Sequence, residues 1–293
     1  MMNVLVFGEI LWDIIEGKKH LGGASLNFAA HCAQCGQYAG MISSLGQDEL
    51  GDAALDKIKK LKVDTTLIQR SVSRSTGTVL VTLENGQPEY EVIAGVAYDY
   101  VHKEELDENE ISEYDTFYFG SIIQRNKESR EALYYVLDNF EFDKIFYDVN
   151  LRKDCYSQSV IEKSLGYCTM LKVNDDEVEV LSNMLFGKGL RFEDFSKEVI
   201  KQYPQIKIVI ITAGKNGCAL YYDAQLVTIP GISIEVKDTV GAGDSFSAAF
   251  LSIYDKTEDP IQAASVANYV GSFVASSHGA IPKYSNGILA LLS

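Results

Sequence analysis

Asp238-Thr239-Val240-Gly241-Ala242-Gly243-Asp244-Ser245-Phe246 places glycines and a carboxylate at the start of a stretch in which Phe246, Phe250 and Ile253 share one helical face. Glycine lets the backbone turn tightly. The first N–H groups of a helix lack partners within it, and the dipole adds positive potential there. Such a helix start binds anions. Asp244 then has two readings. It is an N-cap carboxylate contributing roughly 0.5 to 2 kcal/mol of helix stability, or it is a base beside an anion hole. In the second case it takes the proton of an alcohol while Gly241, Ala242 and Gly243 supply N–H groups to a transferring phosphoryl group.

A second segment, Gly22-Gly23-Ala24-Ser25-Leu26-Asn27, opens another helix with Ser25 as its expected cap. Paired glycines admit a ligand close to the backbone, and Asn27 can both donate to and accept from hydroxyls. The plain alternative is a loop with a capping serine. A dinucleotide fingerprint is missing, because Gly8-Glu9-Ile10-Leu11-Trp12-Asp13 follows the first strand where G-x-G-x-x-G would be needed, and no G-x-x-x-x-G-K-[ST] occurs. Cys32-x-x-Cys35 lacks the second Cys or His pair of a tetrahedral metal site and reads as packing. The other cysteines (Cys155, Cys168, Cys218) are scattered, as expected of reduced thiols. His20, His31, His102 and His278 lack ligand spacing and read as surface or packing residues.

The elements that must position these residues alternate. Val4–Phe7, Met41–Ser44, Phe117–Phe119, Ile145–Asp148, Met170–Val173 and Ile208–Thr212 are short apolar runs, as expected of strands buried on both faces of a mainly parallel sheet. Between them, Leu26–Ala33 (stopped by Gly36), Leu50–Leu61, Lys127–Asn139, Glu177–Phe186, Phe192–Gln202 and Ile261–Ser277 have helical periodicity. Strands alternating with helices predict a doubly wound α/β domain. Gly77–Leu83 and Glu89–Ile93 break that rhythm. They alternate like half-exposed strands around Glu84-Asn85-Gly86-Gln87, where Asn-Gly signals a hairpin. With Ile10–Leu21 they are expected to form a small sheet projecting over a strand-end crevice as a lid.

The chain of 293 residues is 46% hydrophobic with a formal net charge of −15. That is ample for a packed core, and the charge disfavours nucleic acid and anionic membrane as partners. The apolar run at the N-terminus is shorter than a membrane span and lacks the flanks of a leader, so a cytoplasmic location is expected.

These segments resemble the PfkB (ribokinase-like) carbohydrate kinases, whose signatures are a GG-x-x-x-N block and a DT-x-GAGD block in this order. The resemblance runs over nearly the whole chain. Gly8-Glu9-Ile10-Leu11-Trp12-Asp13 looks like the family's first strand with its sugar-binding aspartate, and Asp48-Glu49-Leu50-Gly51 like the later part of the first signature. Asn174-Asp175-Asp176-Glu177 looks like its N-x-x-E motif, and Thr212-Ala213-Gly214-Lys215-Asn216-Gly217 like its nucleotide loop.

The resemblance implies one ribokinase-like domain over 1–293, a three-layer α/β/α fold with the lid from about 10–22 and 74–100 inserted in it. It implies ATP-dependent phosphorylation of a hydroxymethyl group, with Asp244 as catalytic base and Gly241, Ala242 and Gly243 as the anion hole. Asp13, Gly22, Gly23 and Asn27 would bind the sugar, and Asn174 and Glu177 would organise Mg²⁺ through water. Thr212, Gly214, Gly217 and Asn268 would line the nucleotide. A monovalent cation, where members use one, binds carbonyls around Asp238 and Val240 and a segment matching 277–283. Lys283 either replaces that cation in part or is a solvated surface lysine.

Asp148-Val149-Asn150-Leu151-Arg152 and Tyr118-Phe119-Gly120-Ser121-Ile122 look like patterns of fructokinases and 2-keto-3-deoxygluconate kinases. Arg152 is expected to reach a substrate carboxylate, to sit near the γ-phosphate, or to pair with Asp148 or Asp154. Gly22–Gly36 is similar to the fructokinase-like branch, which makes fructose the expected acceptor, with ribose-type and nucleoside substrates as alternatives. A catalytically silent sensor of the same fold and a nucleotide-cofactor oxidoreductase are rivals of other classes. The exposed edges of the projecting hairpin lead to the expectation of a homodimer through the lid.

Overall fold

The structure, a computed structural model, describes residues 2–15, 17–84 and 87–293. In chain order the strands are β1 (Asn3–Phe7), β2 (Leu11–Ile15), β3 (Lys18–Gly22), β4 (Tyr38–Gly46), β5 (Ile68–Ser71), β6 (Gly77–Glu84), β7 (Gln87–Val92), β8 (Thr116–Gly120), β9 (Lys144–Asp148), β10 (Met170–Asn174), β11 (Ile208–Thr212), β12 (Cys218–Tyr222) and β13 (Gln225–Ile229). The helices are α1 (Ala24–Gln34), α2 (Glu49–Lys60), α3 (Glu108–Ile111), α4 (Lys127–Asn139), α5 (Gln158–Tyr167), α6 (Asp175–Phe186), α7 (Phe192–Gln202), α8 (Ala242–Thr257), α9 (Pro260–Ala275) and α10 (Asn286–Leu292).

The main sheet runs β13-β12-β11-β10-β9-β8-β1-β4-β5. It is parallel from β11 to β5, and β12 and β13 add an antiparallel edge. Successive side chains of a strand face opposite sides, and β1 shows the result: Val4 and Val6 enter one core with Phe28 of α1 and Phe250 of α8, while Leu5 and Phe7 enter another with Leu133 of α4 and Phe195 of α7. These are the three layers expected. Strand order reverses at β1, with β4 on one side and β8 on the other. A ligand crevice belongs beyond the carboxyl ends of the strands at such a reversal.

The second sheet runs β3-β2-β6-β7. It combines the segment from β2 to β3 with the later pair β6 and β7, as expected, through parallel pairing of Leu11–Ile15 with Gly77–Val81. The two strands of the hairpin pair antiparallel up to Glu84 and Gln87. The expected Asn85-Gly86 turn lies outside the described residues.

Two helix starts differ from expectation. Gly23, at φ 109°, is the N-cap of α1, and Ser25 sits inside the first turn with its hydroxyl donating to Glu9. Gly241, at φ 80°, is the N-cap of α8, so Asp244 lies in the first turn and is no cap. A glycine at positive φ turns the chain into each helix without side-chain help, which releases both polar side chains for other partners. The β12–β13 hairpin has no sequence signal as strong as Asn-Gly. Its turn is made by Asp223 and Ala224, both at positive φ (47° and 60°), where Gly or Asn is usual.

Candidate active site

The carboxyl ends of β1, β9, β10 and β11 deliver Glu9, Asp148, Asn174 and Thr212 toward the start of α8. Asn27, one turn into α1, donates from Nδ2 to Asp244 Oδ2 at 2.8 Å. The two signature segments, 217 positions apart, therefore meet in one hydrogen bond. Asn27 is buried, and its Oδ1 has no partner among the described residues. A buried acceptor left open beside a carboxylate is where a ligand hydroxyl can donate.

Asp244 is partly buried, and its pKa is pushed up to about 7. Burial is the main cause. The bond from Asn27 and the Lys172 ammonium oppose it, while the charges of Asp148 and Glu9 add to it. A carboxylate tuned to this range accepts protons near neutral pH.

The backbone around Asp244 is tightly set. A Cβ on Gly241 would run into the carbonyl of Ala280. Ala242 N donates to Thr239 O at 3.2 Å, while no acceptor among the described residues takes the N–H of Gly243 or Asp244. Open donors at a helix start are able to receive an anion. Across the crevice, a Cβ on Gly23 would lie 2.6 Å from Glu9 O, and one on Gly22 would lie 2.9 Å from Asp13 Oδ2. Asp13 is thus a neighbour of Gly22, and Asn27 N donates to Gly23 O at 2.8 Å, so the four lie along one continuous run of contacts. Burial raises the Asp13 pKa against the opposing charge of His20, its cross-strand neighbour.

A model described as the pfkB family carbohydrate kinase matches residues 5–286. The chain belongs to that family. It is a carbohydrate kinase with the ribokinase-like α/β fold. The kinase is 26% identical over 307 residues to Fructokinase-2 of Oryza sativa subsp. japonica, covering 95% of this chain and 90% of that one. It is 27% identical to an uncharacterized sugar kinase from Pyrococcus horikoshii whose crystal structure is in complex with ATP, with a TM-score of 0.84 over 96% of this chain and 95% of that chain. Fructokinase from Vibrio cholerae O395, in a fructose-, ADP- and calcium-bound form, shares the fold with a TM-score of 0.86 at 20% identity over 100% and 99% of the two chains.

On the other flank of the kinase site, Thr212 ends β11 and its hydroxyl donates to Val173 O at 3.4 Å. Gly214 and Gly217 have φ of 50° and 88°, and a Cβ on Gly217 would collide with Ile229 O. Asn268 of α9 donates to Pro230 O, on the same strip of chain. Gly217 and Asn268 thus both approach the 229–230 backbone, and Thr212 and Gly214 lie on the adjoining chain.

Asn174 caps α6, accepting from Glu177 N, while Glu177 Oε2 accepts from Asn174 N and Oε1 from Leu151 N at 2.7 Å. The helix-start reading of this motif is therefore correct in geometry. Both carboxylate oxygens already accept a backbone donor, and the described residues contain no group of three or more metal-ligating side chains. This donor set does not fit direct ligation of Mg²⁺ but leaves lone pairs for an ion that keeps its water shell.

Asp238 Oδ1 accepts from Val240 N and Oδ2 from Gly279 N, so one carboxylate joins the two segments expected around a monovalent cation. Lys283 is exposed and makes no ion pair among the described residues. Arg152 is also exposed and donates to Leu151 O. It forms no structural pair with Asp148 or Asp154, because Asp148 is held by Lys172 at 3.0 Å and by Ser247 Oγ at 3.0 Å. That pairing is thereby corrected.

Two buried residues here lie outside the expected site set. Glu9 accepts from Ser25 N and Oγ, which fixes the loop after β1, and a side chain on Gly8 would collide with Ser25. Lys172 interrupts the apolar run of β10, and a lysine within a doubly buried strand was the available signal. His31 is buried as packing. One ring nitrogen meets Ala280 O at 2.9 Å and the other the Tyr284 hydroxyl at 2.7 Å, and burial lowers its pKa to about 4. All five cysteines are free and buried.

Proposed function

We propose that this sugar kinase transfers the γ-phosphoryl group of ATP to the hydroxymethyl group of fructose, giving fructose 6-phosphate. The observation that carries the mechanism is the 2.8 Å bond between Asn27 and Asp244, with the free Asn27 acceptor beside it. The sugar would lie on the wall of Asp13, Gly22, Gly23 and Asn27. Its hydroxymethyl proton passes to the Asp244 carboxylate as the oxygen bonds to the γ-phosphorus. The bond from that phosphorus to the bridging oxygen breaks, and ADP leaves with the electron pair. The backbone of Gly241, Ala242 and Gly243 would line the anion hole at the start of α8, with the open N–H groups of Gly243 and Asp244 as the donors that stabilise the charge of the transition state.

ATP would rest on Thr212, Gly214, Gly217 and Asn268. Mg²⁺, when bound, neutralises phosphate charge, and Asn174 and Glu177 would accept from its waters. Asp238 and Val240 would border a monovalent cation if one is used. The whole chain, 1–293, would act as one unit in the cytoplasm, with the second sheet as lid and with its edge strands β3 and β7 available to a second copy in a homodimer.

The likeness to rice Fructokinase-2 supports fructose. The exposed guanidinium of Arg152, which makes no ion pair among the described residues although its charge acts on Glu9, favours 2-keto-3-deoxygluconate as the second reading. A coupled assay with fructose, 2-keto-3-deoxygluconate, ribose and nucleosides decides. Fructose turnover well above the others is expected, and a fructose rate at background overturns the assignment. ATP binding without phosphotransfer to any acceptor would instead indicate a sensor. Light scattering at micromolar concentration tests the dimer.

A further inference from the structure

Lys172 lies on the central strand β10, buried, with its Nζ 3.0 Å from Asp148 Oδ1. Asp148 Oδ2 accepts from Ser247 Oγ, whose single proton is shared with Gly243 O at 3.1 Å, so the pair is fastened to the first turns of α8. A Cβ on Gly243 would lie 3.4 Å from Lys172 Nζ. The ammonium therefore sits beside the backbone next to Asp244, under the anion site. Breaking a buried ion pair strongly destabilises a protein, and apolar residues fill such a space at no loss, so stability alone is a weak reason for this arrangement.

The groups that act on Asp244 come from several elements, and the exposed Arg152 acts on one of them, Glu9. Asn27 of α1 donates to it, Tyr118 of β8 is kept protonated by burial, and Glu9 after β1 and Asp148 of β9 are carboxylates. Glu177 of α6 adds a third carboxylate near Lys172. Lys172 is the buried cation among these groups. Burial opposes its charge, but Asp148, Glu177 and Asp244 outweigh burial and hold its pKa above the ordinary value.

From this geometry we infer that Lys172 is a positioning residue for the base: its ammonium, anchored on Asp148 beside the Gly243 backbone, favours the ionised form of Asp244. This rests on the reading of Asp244 as the base. Lys172 and Asp148 act on Asp244 with opposite sign, which separates an electrostatic role from a structural one.

The test is the pH profile of kcat/KM, measured with the best acceptor of the screen, for Lys172→Met, Asp148→Asn and the double variant. Removing the cation moves the acid limb up by roughly one pH unit. Removing the Asp148 charge moves it down, and the double variant lies between. Ser247→Ala, which cuts the anchor and keeps the charges, leaves the limb in place. An unmoved limb in Lys172→Met, or Lys172→Met and Asp148→Asn moving together, overturns the inference. Where Lys172→Met does not fold, Asp148→Asn decides: a downward shift supports the inference, and no shift or an upward one defeats it. Asp244→Asn distinguishes the two levels. Retained turnover there defeats the base itself, whereas lost turnover with an unmoved Lys172→Met limb defeats only the role of Lys172.

Discussion

The two flanks of the crevice are built from different materials. Around Asp244 the contacts are made by buried side chains from distant segments (Glu9, Asn27, Asp148 and Lys172), with Ser247 of the same helix. Around Thr212, Gly214 and Gly217 they are made by backbone turns at positive φ. Charge interactions strengthen in a low dielectric, so the first flank can tune a proton acceptor. Shape is the main resource of the second. Substitutions on the first flank should alter kcat and its pH dependence, and those on the second should alter the KM for ATP.

The largest effect is expected for Asp244→Asn. Loss of a general base lowers kcat on the order of a thousandfold, with ATP affinity held. Steady-state kinetics and nucleotide titration check this, and a kcat within tenfold of the parent would dissolve the contrast between the flanks. The same variant gains stability. The folded carboxyl holds its proton up to about pH 7, against 3.8 for the ordinary group, so the folded state binds more protons than the unfolded one between those values. Stability is then lost as pH rises through that window, and the neutral amide escapes the loss. A higher Tm for Asp244→Asn at pH 8 is the expected reading.

Asn27→Leu comes next. It removes the donor that holds the carboxylate charge and the acceptor facing the ligand, so kcat/KM falls roughly tenfold to a hundredfold. Its acid limb moves upward, because the lost bond favoured the ionised form. In the parent enzyme, kcat/KM should rise with pH and reach half its plateau near pH 7, where Asp244 loses its proton. A flat profile between pH 5 and 8 would remove Asp244 from the role.

Gly217→Ala tests the second flank. At φ 88° and against Ile229 O, a methyl group forces the loop to shift, at a cost of about 1–3 kcal/mol. The KM for ATP rises several-fold while the acid limb stays in place. A moved limb would mean that the flanks are coupled. Thr212→Val is the smallest. Its hydroxyl makes one long bond, at 3.4 Å, so a change in the KM for ATP below about threefold is expected.

Much of the fold can be read from one dimension. Lys127–Asn139, Phe192–Gln202 and Ile208–Thr212 coincide with their elements because each is an apolar pattern of a single period bounded by polar or turn residues. The helix caps are less legible. Ser25 and Asp244 have the chemistry of N-caps, but adjacent glycines take over that geometry, and the side chains go to Glu9 and Asn27. The β12–β13 edge is hidden by its Asp223-Ala224 turn.

What the sequence by itself determined is the alternation of strand and helix, the two glycine-bearing helix starts and the residue types able to bind an anion and take a proton. These depend on local sterics and periodicity, which neighbours along the chain decide. What only the tertiary structure decided is which charges share a volume: that Asn27 reaches Asp244, that Lys172 satisfies Asp148, and that Arg152 stays in solvent. The pKa of a buried carboxylate depends on desolvation and on charges within a few ångströms, and those distances exist only after the sheet has brought remote strands side by side.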